Sequence, residues 1–248
     1  MYFLLFLCWG SFLNVLAYRM LEGYDWVKLR SFCTGCKRTI AWYDLIPVFS
    51  WLLLRAQCRY CKAFISWLYP FIELLTALSF LALYWYVDPR YWLGYGVLFS
   101  ALIVTIRTDI ETFFILRMAT LGIMPIGIVL SIFNALPVTV AESIGGALVG
   151  YCLLWLARWL FYRLLGQEGM GQGDLDLLAA IGAFIGPLGV WCCLVLGSLL
   201  GSLIGIILLS YKGYYSRFFK IPFGPFLAVG AMVYILAQPT ILSVILQL

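Results

Sequence analysis

The chain has 248 residues, of which 65% are hydrophobic and 11% charged, with a formal net charge of +5 and a mean hydropathy of +1.02. A soluble domain of this size carries about 25% charged residues, so the composition argues against a water-soluble enzyme and for a protein built in lipid. Apolar runs long enough to cross roughly 30 Å of hydrocarbon fill the sequence. Lipid gives unpaired backbone groups no partner, so such runs are read as helices; the alternating apolar–polar pattern of a membrane barrel is absent.

In chain order the expected spans are 2–18, 67–87, 91–106, 118–134, 141–160, 175–190, 190–210 and 223–247. The first follows Met1 without a basic stretch or a small-residue cleavage site, and is expected to be a retained span, not a signal peptide. Arg19 follows it and is expected to snorkel to the interface. The sixth and seventh spans are separated only by Gly186-Pro187-Leu188-Gly189. Small residues recur at four-residue spacing, at Gly146/Gly150, Gly182/Gly186 and Gly197/Gly201/Gly205, and read as surfaces where helix backbones approach closely. The fold class expected is all-α: a polytopic membrane helix bundle with a small zinc-ribbon-like loop. Its parts are a first span (1–18), a tetracysteine loop (19–66) and a helix bundle (67–248).

Orientation follows from charge. The segment 19–66 carries eight Lys and Arg, and the later loops on the same side bring the total to fifteen of the sixteen, leaving Arg90 on the other face. The positive-inside rule makes the rich side cytoplasmic and puts both termini outside. The positive charge is thus a topological signal, and no nucleic-acid partner is expected.

The loop contains Cys33-Thr34-Gly35-Cys36 and Cys58-Arg59-Tyr60-Cys61, two CxxC pairs separated by 21 residues. Each such turn points two thiolates at one place, and two turns complete a tetrahedral Zn²⁺ site. Disulfides are the competing reading, disfavoured in a reducing compartment. The chain has no histidine, so the ligands would be Cys33, Cys36, Cys58 and Cys61, a closed site that folds the loop without catalysing. Cys8, Cys152, Cys192 and Cys193 lie in apolar spans and read as small buried hydrophobes.

Of eleven acidic residues, Glu22, Asp25 and Asp44 fall in the loop, and Asp88 and Glu142 at the outer interface. Glu73 lies inside the second span, where a carboxylate costs roughly 2.5 to 3.5 kcal/mol and needs a cavity or partner; a polar helix contact and a functional role both remain open for it. Asp109 ends the third span, in Thr105-Ile106-Arg107-Thr108-Asp109-Ile110-Glu111. Asp174 begins the sixth, after Gly169-Met170-Gly171-Gln172-Gly173. Both therefore sit at one depth, just inside the cytoplasmic boundary. Spacing alone is satisfied by a helix N-cap at Asp174 and an interfacial helix end at Asp109. As a pair they would do more, because two carboxylates at close range share one proton. The ionised member then takes a proton from water while the protonated member polarises a carbonyl, chemistry that needs neither histidine nor a serine nucleophile.

Several fragments taken together resemble the type IV prepilin peptidase (prepilin leader peptidase/N-methyltransferase) family. They are Gly10-Ser11-Phe12-Leu13-Asn14-Val15 with Arg19; Ile46-Pro47-x-x-Ser50 and Leu54-Arg55 within the double CxxC loop; and Tyr69-Pro70-x-x-Glu73-Leu74-Leu75-Thr76. Further on come Glu168-Gly169-Met170-Gly171-Gln172-Gly173-Asp174 with Leu177-Leu178-Ala179-Ala180-x-Gly182, and Ile221-Pro222-Phe223-Gly224-Pro225-x-Leu227-Ala228. Each fragment is weak alone, but their order over most of the chain is specific. The resemblance implies that Asp109 and Asp174 are catalytic, so that 67–248 is an intramembrane aspartic peptidase bundle, and that the tetracysteine loop binds zinc. It implies a multi-pass protein of the bacterial inner membrane with its catalytic side cytoplasmic, embedded in membrane lipid. The substrates would be type IV prepilins or type II secretion pseudopilins, cut after a glycine, with S-adenosylmethionine then methylating the new N-terminus. The acids Glu111, Glu168 and Asp176 would attract a basic leader.

Two departures from the pattern stand out. The lysine expected two residues after the second aspartate is Asp176, and the LPD stretch expected after the first reads Leu116-Arg117-Met118. The competing reading from another class is a transporter or ion channel using Asp109 and Asp174 as a proton or cation relay. That reading calls for inverted repeats with helices broken at the midplane, whereas no internal repeat is visible and the acids lie at the edge.

Overall fold

The computed structural model describes residues 1–23, 30–166, 169–212 and 221–245. Asp25, Lys28, Glu168, Arg217 and Lys220 therefore lie outside the described residues. Among those described the regular structure is helical, with only two isolated antiparallel bridges, Phe32 with Thr39 and Gln57 with Phe64. The chain clusters into two compact units, Met1–Trp85 and Tyr86–Leu248.

The first unit holds α1 (Tyr2–Glu22), α2 (Phe49–Leu53) and α3 (Leu68–Tyr86). α1 and α3 run antiparallel. Their register shows in Tyr2 against Tyr84 (4.8 Å between ring centroids), Phe6 against Phe80 (5.6 Å), and Asn14 Nδ2 donating to the Tyr69 carbonyl (3.1 Å). Gly10 makes the approach feasible, since a Cβ there would lie 2.9 Å from the Glu73 Cα and from Thr76.

The second unit holds α4 (Trp92–Thr112), α5 (Arg117–Thr120), α6 (Met124–Ile132), α7 (Val140–Leu165), α8 (Gln172–Lys212) and α9 (Gly224–Ile245). α4 is its centre, with every position from 101 to 109 buried. α7 and α8 meet through glycine: a Cβ on Gly146 would lie 2.2 Å from the Gly182 carbonyl oxygen, and one on Gly150 2.5 Å from that of Leu178. The Ser143 hydroxyl locks the pair by donating to the Ala183 carbonyl at 2.6 Å. Gly146, Gly150 and Gly182 thus pack backbone on backbone, as lipid-embedded helices do, whereas Gly201 and Gly205 make room for the Phe226 and Ile221 side chains.

The eight expected spans appear as apolar helical segments with shifted ends. Among the described residues five helices are long and apolar enough to cross a membrane by length and composition: Tyr2–Glu22, Leu68–Tyr86, Pro89–Thr112, Val140–Leu165 and Gln172–Leu208. The last is two segments, because Gly186 adopts φ 72°, ψ 179°, a conformation closed to residues with a Cβ, and Pro187 follows it. A Cβ on Gly182 would lie 2.9 Å from Val190 Cγ2. Eight residues of straight helix would rise about 12 Å, so the chain doubles back there into two arms, 172–185 and 187–212. The fourth expected span is broken into α5 and α6, the second starting with Pro125 in its first turn.

Candidate functional sites

The tetracysteine loop is built from one turn used twice. In the first copy Cys33 N donates to the Arg38 carbonyl (2.9 Å), Lys37 N to that of Cys33 (2.8 Å) and Ile40 N to that of Ser31 (2.9 Å). Twenty-five positions later Cys58 N donates to Ala63 (2.9 Å), Lys62 N to Cys58 (3.1 Å) and Ile65 N to Ala56 (2.7 Å). Lys37 and Lys62 both take φ 58°, which closes the turn behind each cysteine pair. The four Sγ atoms converge to within 4.8 Å of one another, with Cys33 and Cys61 at 3.7 Å, and none of the cysteines is in a disulfide. A Zn²⁺ with four bonds of about 2.3 Å spaces its sulfurs about 3.8 Å apart, so the donor set fits that ion.

Backbone N–H groups of Cys61 and then Tyr60 hold the Cys58 thiol down to about 7. The Ala63 N–H acts the same way on Cys61, but desolvation and the neighbouring sulfurs outweigh it and push that thiol up to about 11. Four thiols this close resist ionising together, and a bound dication removes that conflict. Beside them Arg59 grips Asp44 with Nε at 2.8 Å and Nη2 at 2.6 Å and lies over the Tyr43 ring, pinning the 42–45 turn to the second knuckle.

Glu73 is 6% exposed and accepts a 2.8 Å hydrogen bond from the Val48 N–H. Val48 is β-branched yet has φ 62°, ψ −52°, a conformation costing about 1–3 kcal/mol. The carboxylate satisfies the N–H that this turn aims into the fold, so Glu73 is a pin between α3 and the Ile46-Pro47 segment. Gly10, Asn14, Tyr69 and Glu73, scattered in the sequence, form one assembly in the first unit.

In the second unit Asp109 occupies the last turn of α4. Its carbonyl accepts the Phe113 N–H (3.0 Å), with Phe113 in the left-handed cap position at φ 55°. Its carboxylate Oδ2 accepts the N–H of Gly224, the first residue of α9, at 3.0 Å. Asp174 is the third residue of α8, and its carboxylate lies beside Gly171 immediately before the helix, where a Cβ on Gly171 would be 3.6 Å from Asp174 Oδ2. That is the position from which a capping-box acid reaches back toward the helix N-terminus. Asp109 is 4% and Asp174 9% exposed, and the two carboxylates interact electrostatically. The structure thus brings together two acids 65 positions apart.

Ile115 wedges this corner: a Cβ on Gly173 would lie 2.8 Å from Ile115 Cβ, and one on Gly224 2.7 Å from Asp109 Oδ2 and 3.1 Å from Ile115 Cδ1. The donor Gly224 had no role assigned from the sequence; its signal was the Gly224-Pro225 pair, which starts a helix tightly. Glu111 pairs with the buried Arg107 one turn earlier on α4. Asp176 is buried one half-turn beyond Asp174 and faces Arg117.

Comparison with known proteins agrees with both halves. A family model described as "Bacterial Peptidase A24 N-terminal domain" matches residues 4–87, and one described as "Type IV leader peptidase family" matches residues 96–207. A protein of Pectobacterium carotovorum subsp. carotovorum named prepilin leader peptidase/N-methyltransferase is 35% identical over 249 residues, covering 90% of this chain and 87% of that one. A Klebsiella pneumoniae protein of the same name is 38% identical over 191 residues (74% and 83%). A Xanthomonas campestris pv. campestris protein, again so named, is 40% identical over 167 residues, 66% of this chain. The chain spans 57% of the length of that Xanthomonas relative and 64% of a relative of the same name from Aeromonas hydrophila. No solved structure matches.

Proposed function

The chain belongs to the type IV leader peptidase family, and from that membership and the convergence of Asp109 and Asp174 we propose that it is an intramembrane aspartic endopeptidase acting on type IV prepilins or type II secretion pseudopilins. The observation that carries the reading is the pair itself: two buried carboxylates from distant helices, electrostatically in touch, with that of Asp109 held by the Gly224 N–H. Two carboxylates so placed share one proton. The ionised member draws a proton from water, whose oxygen bonds to the scissile carbonyl carbon. The protonated member hydrogen-bonds the carbonyl oxygen, and the C–N bond then breaks as a proton passes to the leaving amine. The Gly224 N–H fixes the Asp109 carboxylate so that this proton traffic costs little reorganisation.

The charge asymmetry of the loops supports a bacterial inner-membrane protein with this site at the cytoplasmic face. Cys33, Cys36, Cys58 and Cys61 would hold a structural Zn²⁺ that folds the loop. The relatives' names also carry an N-methyltransferase activity, and methyl transfer from S-adenosylmethionine to the newly exposed amine is proposed as a second step. The test is to incubate the purified protein with a prepilin and follow the products by mass spectrometry. The expected result is a shortened pilin, with a further 14 Da when S-adenosylmethionine is present, about the mass of one methylene. An uncut prepilin overturns the peptidase reading.

A further inference from the structure

We propose that the Arg117–Asp176 ion pair is a latch that positions Asp109 and Asp174 relative to one another, making Asp176 a positioning residue and not a third catalytic acid. The inference rests on the peptidase reading only for what the positioned groups do. Asp176 is 3% exposed, and among the described residues its Oδ2 accepts no hydrogen bond. A buried carboxylate needs a compensating charge; what Oδ2 faces is the Arg117 Nε, 3.6 Å away, on a side chain that is itself 68% exposed, so solvent screens part of the attraction. At that range the contact is an ion pair without a hydrogen bond.

The other oxygen, Oδ1, is approached by Gln172 Nε2 at 3.4 Å. The same amide reaches α7 by donating to the Tyr151 hydroxyl (3.2 Å) and accepting from Arg158 Nη1 (3.0 Å). Asp176 is thereby tied to the start of its own helix on one side and to α5 on the other.

The consequence lies in what Arg117 carries. Between Asp109 and Arg117 the chain leaves α4 through the Phe113 cap, passes Ile115 and enters α5, a single turn whose N-cap, Leu116, makes no side-chain cap bond. Ile115 is the side chain wedged against Gly173, beside Asp174, and Gly224, whose N–H holds Asp109. The ion pair sits two residues beyond that wedge. It clamps the linker that follows Asp109 onto the helix turn that presents Asp174, so the separation of the two acids depends on it.

The test measures hydrogen–deuterium exchange and prepilin cleavage on the purified full chain for wild type, D176N, R117E, D176R and R117E/D176R. Each single substitution should speed amide exchange in residues 113–120 and lower kcat about threefold with KM little changed, and the double reversal should restore both. Wild-type exchange in D176N overturns the latch. So does a loss confined to KM, which would put Asp176 in contact with the substrate, or a double variant no better than the singles, which would mean that each side chain acts alone. Should the wild type fail to cut prepilin, the peptidase reading falls while the exchange data still decide the latch.

Discussion

The tetracysteine loop and the aspartate pair solve the same problem, bringing like charges together, by opposite routes. The loop does it locally: one hydrogen-bonded turn is repeated after twenty-five positions, and all four sulfurs come from a stretch of 29 residues. The aspartates do it by convergence, since Asp109, Asp174 and Gly224 come from three helices and the Gly224–Asp109 bond spans 115 positions. A local site of this kind would depend on a bound ion, because the turns bring the sulfurs together but four thiolates repel one another until a dication neutralises them. A convergent site is held by helix packing formed for other reasons, so its functional groups can be altered without loss of the fold.

The largest expected effect breaks the convergent site alone. Asp109→Asn and Asp174→Asn should each lower prepilin cleavage by about 10³-fold or more, while thermal unfolding changes little. The amide matches the carboxylate in size, and at position 109 it keeps an oxygen to accept from Gly224, so packing survives the loss of the titrating group. Retained cleavage in either variant would remove the dyad.

The second prediction breaks the local site alone. A chelator, or Cys33→Ser with Cys58→Ser, should take the zinc content from about one per chain to near zero and open residues 31–65 to protease. A structural zinc supplies on the order of 10 kcal/mol to its module, far more than two short turns and two bridges hold by themselves. The second unit should keep its protection, and if both units loosen together the loop is not the self-contained element its hydrogen bonds describe.

Legibility in the sequence follows the same division. The CxxC pairs were readable because ligand chemistry and spacing lie together, and the helices because lipid demands long apolar runs. What could not be read depends on contacts between distant residues. Glu73 stood open between two roles until the positive φ of Val48, which no residue pattern announces, supplied its partner. Asp174 looked like either a cap or a catalyst, and its place in the first turn of α8 suits a cap while its coupling to Asp109 supports the other role. Asp176 and Arg117 entered as two separate departures from a pattern, and the fold brings them face to face, 3.6 Å apart.

A third prediction probes how closely the helices must meet at the convergent site. Gly224→Ala places a Cβ 2.7 Å from Asp109 Oδ2 and 3.1 Å from Ile115 Cδ1. One or both must move, and displacement of a catalytic group by about 1 Å costs on the order of 10²-fold in rate. The expected outcome is a loss in kcat with little change in metal content or in protection of the loop. An unaffected kcat would show that the Gly224 N–H is not needed to hold Asp109.

The smallest expected effect belongs to the loop and depends on pH. The Arg59 guanidinium beside Asp44 holds its carboxyl below the usual range, mostly through their direct hydrogen bonds and despite partial desolvation. A carboxyl whose folded-state pKa is depressed contributes stability that is present above its unfolded value, about 3.9, and is lost as pH falls through the folded one. Because Arg59 is nearly half exposed, solvent screens much of this pair. At pH 7, with zinc bound, Asp44→Asn should therefore lower loop stability slightly, as followed by protease protection of residues 31–65, and the effect should shrink as pH falls below the ordinary carboxyl value toward the depressed folded-state one. A variant that weakens the loop equally at pH 7 and in acid would show that the 42–45 turn is held by the Arg59–Tyr43 stacking and shape of the contact instead of by its charge.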